Sequence, residues 1–253
     1  MSLLITNYLR NNMKFKYLKS TVKVLAIASI IFLTSCQGTS KDKFGGLALY
    51  TVRDDMGANT EATLDSVAKA GYVNIEAAGY SNGKFYNMAP EDFKKLLDEK
   101  GLKGISTHQG SATLDNIDEE IAAVKAAGFT YFVIPVPPMG HFKYYPETQT
   151  MGMDPDLDFM INFLNTVGKK CSDAGLQLLY HNHDFEFKEN ENGIVPIEYF
   201  LENTDTKYVN FQMDLFWVTK AGASPIEYFE KYRNYLKKST FNSLLKGVIK
   251  PNF

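Results

Sequence analysis

Three observations predict an α/β fold of the (β/α)8 barrel type with about six strand–helix units present. Strand-like runs rich in branched and aromatic residues alternate with helical runs from residue 44 onward. That is the pattern of a parallel sheet covered by helices. No Gly-x-Gly-x-x-Gly turn follows the first strand, so an open dinucleotide-binding sheet lacks its phosphate cradle. Polar residues gather at the carboxyl ends of the expected strands, namely Arg53, Glu76, His108, His181, His183 and Asp214. In a closed barrel those ends share one face, where active sites form.

The chain begins with a segment of different chemistry. Residues 1–35 contain Arg10, Lys14, Lys16, Lys19 and Lys23 and no acid, and the apolar run Val24–Leu33 leads into Leu33-Thr34-Ser35-Cys36. A basic stretch, a short apolar stretch and small residues in that order form a secretory signal. As a helix the apolar run would span only about 15 Å, roughly half the hydrocarbon core, which disfavours a resident membrane helix. The Leu-Thr-Ser-Cys ending resembles the lipobox of bacterial lipoproteins. That resemblance implies lipidation at Cys36, with residues 1–35 removed, residues 36–43 acting as a polar tether, and the protein anchored in the cell envelope.

The body follows in order. Leu47–Val52 reads as the first strand, and Thr60–Ala70 as a helix capped by Asn59 or Thr60 and stopped by Gly71. Tyr72–Ala77 is the second strand, followed by a helix over Pro90–Lys100 with proline in its first turn. Gly104–His108 and Ile117–Ala127 make the third pair, and Tyr131–Val136 and Asp154–Ala174 the fourth. The fifth strand, Leu176–His183, precedes a short helix over Pro196–Asn203. Val209–Phe216 is the sixth strand, and a sixth helix runs from Pro225 to about residue 235.

Chemistry concentrates on the fifth and sixth strands. In a strand, positions i and i+2 face one side, so His181 and His183 are expected to point together into the barrel mouth. Paired imidazoles suit zinc, manganese and similar divalent ions. Asp214 stands in the apolar run Gln212-Met213-Asp214-Leu215-Phe216-Trp217. Burying a lone acid is costly unless it is paired or binds a cation, so Asp214 is a third candidate metal ligand. Glu76, an acid at a strand end, is a candidate base alongside His181 and His183. Tyr50, His108, Glu186, Trp217 and Lys220 are candidate substrate contacts, and Tyr50, Phe187 and Trp217 offer flat surfaces on which a sugar ring packs.

Four segments together, Gly45–Tyr50, Val73–Tyr80, Tyr180–Phe187 and Gln212–Gly222, resemble the sugar phosphate isomerase/epimerase family, whose fold is the xylose isomerase-like TIM barrel. The likeness runs from about residue 44 to 232 and is greatest to a branch of secreted bacterial lipoproteins. It implies one divalent metal (Mn, Zn, Co or Mg) held by Glu, Asp, His and Glu from strands five to eight. The metal would polarise a sugar carbonyl while acidic residues move a proton through an enediolate. Asp214 matches the strand-six acid and His108 a polar position lining the sugar site. His181 falls nearest the strand-five Glu, and Trp217 falls where sugar epimerases often carry a His. Members of the family continue with a seventh and an eighth strand bearing metal ligands. Here residues 233–253 form a divergent basic tail without acids, so the chain is expected to be C-terminally truncated and impaired.

Charge and composition narrow the partners. Beyond residue 35 the chain holds 22 basic against 29 acidic residues, which argues against nucleic acid. The only arginines are Arg10, Arg53 and Arg233, so the bidentate clamps that favour phosphate are scarce. A small neutral carbohydrate is the expected ligand and the membrane is met through the lipid anchor, with homo-oligomerisation left open. Two classes compete with an isomerase: a lyase or dehydratase acting on 3-keto-glycosides, and a lipid-anchored sugar-binding barrel without catalysis.

Overall fold

The computed structural model describes residues 45–147, 150–153 and 156–232. Cys36, the expected signal and tether, and the tail at 233–253 lie outside the described residues. Six parallel strands form one sheet, arranged across it in chain order: β1 (Gly46–Ala48), β2 (Asn74–Ala77), β3 (Lys103–His108), β4 (Tyr131–Ile134), β5 (Gln177–His181) and β6 (Val209–Gln212). A helix follows each: α1 (Thr60–Ala70), α2 (Pro90–Glu99), α3 (Ile117–Ala126), α4 (Leu157–Asp173), α5 (Pro196–Asn203) and α6 (Pro225–Lys231). This is the parallel α/β architecture of the barrel class, with six βα units among the described residues. No helix among them is long and apolar enough to cross a membrane.

Local chemistry sets the helix ends. Asn59 Oδ1 accepts the Ala62 N–H at 3.0 Å, and Gly71 closes α1 in the left-handed region at φ 98°, a conformation that costs glycine little. Asp156 caps α4 by accepting the Phe159 N–H at 3.1 Å, so that helix starts later than the expected Asp154. Proline opens α2, α5 and α6, where its missing N–H is not needed.

Five of the six strands are shorter than the sequence predicts, and three of those endings shape the cavity. β1 ends at Ala48, and Leu49–Val52 turns as a 3-10 helix into a short helix over Arg53–Ala58, whose first turn carries Asp54 and Asp55. Acids in a first turn favour a helix over a strand. β5 ends at His181, and β6 ends at Gln212 because Asp214 caps a helix over Leu215–Lys220. Asp214 is therefore a helix cap and not an acid inside a strand.

Side-chain alternation divides the sheet into two faces. On β6, Val209 and Phe211 join the apolar core, while Asn210 and Gln212 take the opposite side and are also buried. On β5, Tyr180 turns outward against Phe200 of α5 and Phe211, with ring centroids at 5.5 and 6.3 Å. Two antiparallel strand pairs that the sequence reading does not contain lie in the βα loops, Tyr80–Ser81 with Lys84–Phe85 and Phe142–Tyr145 with Thr150–Met153. The first turns on Asn82 and Gly83, both at positive φ, the turn type that matches strand twist. Phe85 anchors it, fully buried against Phe93 at 5.6 Å and Phe129 at 5.4 Å, a burial that contributes about 1.5–3 kcal/mol.

Helix α4 sits close to the loop before β6. A Cβ on Gly168 would lie 2.8 Å from the Tyr208 carbonyl oxygen. Gly168→Ala gains roughly 0.5–1 kcal/mol of helix preference but must displace backbone, an overpacking cost of about 1–3 kcal/mol. Net destabilisation is expected in urea denaturation.

Candidate functional site

The carboxyl ends of the strands surround a cavity of about 630 Å³, within the size range of small-ligand sites. Glu76, His108, His181, His183 and Asp214 supply its ionisable groups, and Tyr50, Tyr80 and Trp217 its aromatic wall. The lining contains no lysine or arginine among the described residues.

Glu76 sits at a register shift between β2 and β3. Ser106 Oγ and Gln212 Nε2 each donate to its Oε2 at 2.6 Å, and His108 Nε2 lies 3.2 Å from its Oε1. Ser106 and His108 reach it together because they are two apart on β3. Burial pushes the Glu76 carboxyl up, but the His108, Ser106 and Gln212 contacts outweigh it and hold the group down at about 2. Glu76 is accordingly ionised at neutral pH.

His181 lines the cavity between His108 and His183. Its Nδ1 is 3.1 Å from Gln212 Oε1 and its Nε2 is 3.7 Å from Asp214 Oδ2. Its ring centroid lies 4.9 Å from that of His108 and 5.3 Å from that of His183. Burial, reinforced by the two neighbouring imidazoles, lowers His181 to about 3, so it is neutral at physiological pH. His183 is shifted down too, mainly by burial. It no longer belongs to a strand, yet it borders the same cavity, stacked on Phe185 with centroids 5.8 Å apart. Asp214 Oδ1 accepts the Phe216 and Trp217 N–H groups at 2.9 and 3.3 Å, which leaves Oδ2 as the oxygen turned to His181. Asn182 clasps the Asp214 backbone, its Oδ1 accepting the N–H at 2.9 Å and its Nδ2 donating to the carbonyl at 3.3 Å.

Two candidate substrate contacts take other roles. Glu186 is fully buried outside the cavity lining; its Oε1 accepts from Tyr180 Oη at 2.7 Å and its Oε2 from the His183 N–H at 2.8 Å. It is a structural acid that bends the chain after β5, and burial pushes its carboxyl up to about 7 despite those donors. Lys220 also stays outside the lining, its ammonium 4.3 Å over the Trp217 ring and 3.8 Å from Asp184. Phe187 packs edge-on against Tyr228 at 5.0 Å rather than lining the cavity. Conversely, Tyr80 borders the site unannounced, delivered by the Asn-Gly hairpin, a signal the sequence carried. Gln212 and Ser106 are the other additions.

His181 and Asp214 are close enough to share a divalent ion, since their facing atoms could each approach one cation at the usual 2.0–2.2 Å. No group of three His, Cys, Asp or Glu side chains arranged to hold a metal occurs among the described residues. The fit is therefore to one edge of a coordination shell.

Comparison with known proteins places the fold among xylose isomerase-like TIM barrels. No family model matches the chain. An inosose dehydratase from Lacticaseibacillus casei is 24% identical over 197 residues, covering 73% of this chain and 63% of its own length. The chain thus spans less than two thirds of that curated relative. A crystal structure of a sugar phosphate isomerase/epimerase from Parabacteroides distasonis superposes with a TM-score of 0.61 at 28% identity, covering 76% of this chain and 72% of the other. A xylose isomerase-like TIM barrel protein from Mycobacterium smegmatis, solved in complex with magnesium, superposes with a TM-score of 0.53 at 17% identity, covering 71% and 64%.

Tyr180→Phe isolates one oxygen of Glu186, a loss of about 1–3 kcal/mol for an ionised buried group. The Tyr180 hydroxyl favours the charged carboxylate, so its removal raises the Glu186 pKa further. The native state of wild type already binds the extra proton between about 4.5 and 7, and its stability falls as pH rises through that window. The variant is expected to lose more stability at pH 8 than at pH 5, measured by urea denaturation at both.

Proposed function

We propose that the protein acts on a neutral sugar or cyclic polyol ketone, moving a proton at the carbon beside the carbonyl to give an isomer or epimer through an enediolate. The observation that carries this reading is the cavity itself: carboxylates from Glu76 and Asp214 and three imidazoles converge in it, with no basic side chain among its described lining residues. Phosphate would meet carboxylates there without a cationic clamp, so a phosphorylated substrate is disfavoured.

Each group has a role consistent with its setting. Glu76 stays ionised under its donors and accepts a hydrogen bond from a sugar hydroxyl. Neutral His181 presents a nitrogen beside Asp214, so an imidazolium formed there by proton abstraction is stabilised by that carboxylate. His183 completes the polar wall, and Tyr50, Tyr80 and Trp217 receive the apolar face of the ring. Were a divalent ion bound instead, His181 Nε2 and Asp214 Oδ2 would hold it, the imidazole would then be a ligand rather than the base, and the ion would supply polarisation of the substrate carbonyl.

Dehydration is the second reading, favoured by the likeness to an inosose dehydratase. It begins with the same proton abstraction; the enediolate then forms a carbon–carbon double bond as the β C–O bond breaks, and the abstracted proton returns to the leaving hydroxyl, which departs as water. In this proposal residues 1–35 export the protein and Cys36 anchors it by lipid in the cell envelope. The support for that placement is the order of basic, apolar and small residues.

Incubation of unphosphorylated keto-sugars and keto-inositols in D2O, with and without Mn2+, followed by proton NMR, tests both readings. Deuterium entry beside the carbonyl is expected, with return of the hydroxyl ketone for isomerisation and an enone for dehydration. Glu76→Gln and His181→Asn are expected to lower exchange by about 10²–10⁴-fold. Faster turnover of the phosphorylated sugar than of its neutral counterpart would overturn the substrate assignment.

A further inference from the structure

We infer that Gln212 is a positioning residue that fixes the hydrogen of His181 on Nδ1 and leaves Nε2 bare, facing the cavity and Asp214. The inference concerns the site proposed above, and its consequence for proton transfer rests on that reading, but the tautomer itself does not.

The geometry is a chain of directed hydrogen bonds. Gln212 has two ends, one turned to Glu76 Oε2 at 2.6 Å and the other to His181 Nδ1 at 3.1 Å. The carboxylate accepts only, so the amide end facing it is the NH2 group. Ser106 Oγ donates to the same oxygen, which reinforces the direction. The other end is then the amide oxygen, which also accepts only. Its partner, His181 Nδ1, must carry a hydrogen. A neutral imidazole has one N–H, so Nε2 holds a lone pair.

That assignment accounts for the contact on the far side of the ring. Nε2 stands 3.7 Å from Asp214 Oδ2, beyond a hydrogen bond. Two lone pairs facing each other are held apart, and the gap is matched to a donor hydrogen or a cation brought by a ligand. Asp214 cannot turn away, because its Oδ1 is engaged by the Phe216 and Trp217 N–H groups. Free histidine favours the opposite tautomer, with hydrogen on Nε2, which would point a proton at Asp214 and occupy the acceptor site. Gln212 thus carries the orientation of Glu76 on β2 through to the chemistry of His181 on β5.

Long-range 15N–1H correlation NMR of chelator-treated full-chain protein at pH 7.5 tests this, with His181 assigned by its loss in His181→Asn. In wild type, Nδ1 is expected at the shift of a protonated ring nitrogen and Nε2 at that of a bare one. A cross-peak is also expected between His181 Hδ1 and the Gln212 side chain. Gln212→Met is expected to move His181 toward the Nε2–H form. Gln212→Glu, which still offers an acceptor, is expected to keep Nδ1–H while losing stability through repulsion with Glu76. A wild-type Nε2–H spectrum, a missing Gln212 cross-peak, or an unchanged tautomer in folded Gln212→Met would overturn the inference. None of these readouts depends on turnover. An inactive protein with the expected tautomer overturns the proposed reaction alone, and an active one with the wrong tautomer overturns only the role of Gln212.

Discussion

A single hydrogen bond spans the interior of this sheet: Gln212 at the end of β6 donates to Glu76 at the end of β2 over 2.6 Å. Those strands are separated by β3, β4 and β5 in the sheet order. A flat sheet would hold them about 19 Å apart, four intervals of about 4.8 Å between adjacent strands. Contact between them requires the sheet to curl strongly, as barrel strands do. The same bond helps to satisfy a buried carboxylate that would otherwise carry a large desolvation cost. Curvature and charge burial are therefore mutually dependent, and the cavity sits above the point where they meet.

Around that tie, the ends of the strands do most of the positioning. β5 and β6 stop early because local hydrogen bonds offer the backbone better partners than another rung of sheet. Glu186 takes the His183 N–H, and Asp214 takes the N–H groups of Phe216 and Trp217. Each termination redirects a side chain: His183 leaves the ladder yet borders the cavity, and Asp214 is pinned by one oxygen with the other turned to His181. Asn182 locks the two termini to one another through the Asp214 backbone. These short-range bonds set the site on rigid strand ends rather than on free loops, which fixes the relative distances of its ionisable groups.

Helices with strong caps were legible from sequence to the residue. Thr60–Ala70 and Pro196–Asn203 match the expectation because Asn59, Gly71 and Pro196 act within a few residues. Strand ends were less legible, since an apolar run continues through Trp217 whether or not Asp214 turns to cap a helix. His108, His181, His183, Glu76 and Asp214 do come together, as the strand-end pattern implied. The proximity of Glu186 to the histidines in sequence hides that Tyr180, on the outer face, is its partner. Gln212 is illegible for a different reason: its role exists only once β2 and β6 meet, and no window of sequence contains both. Tyr80 could have been found, because Asn82-Gly83 between two short extended runs announces a hairpin.

Trp217 is the sole tryptophan of the chain, and it lines the cavity 5.1 Å from the His183 ring and 4.3 Å beneath the Lys220 ammonium. The molecule therefore carries its own optical reporter at the mouth of the site. Anything that enters between that indole and the imidazole alters the surroundings of the only such fluorophore present, without signal from elsewhere to dilute it. Occupancy by a ligand that absorbs no light becomes visible in the emission of the unmodified protein.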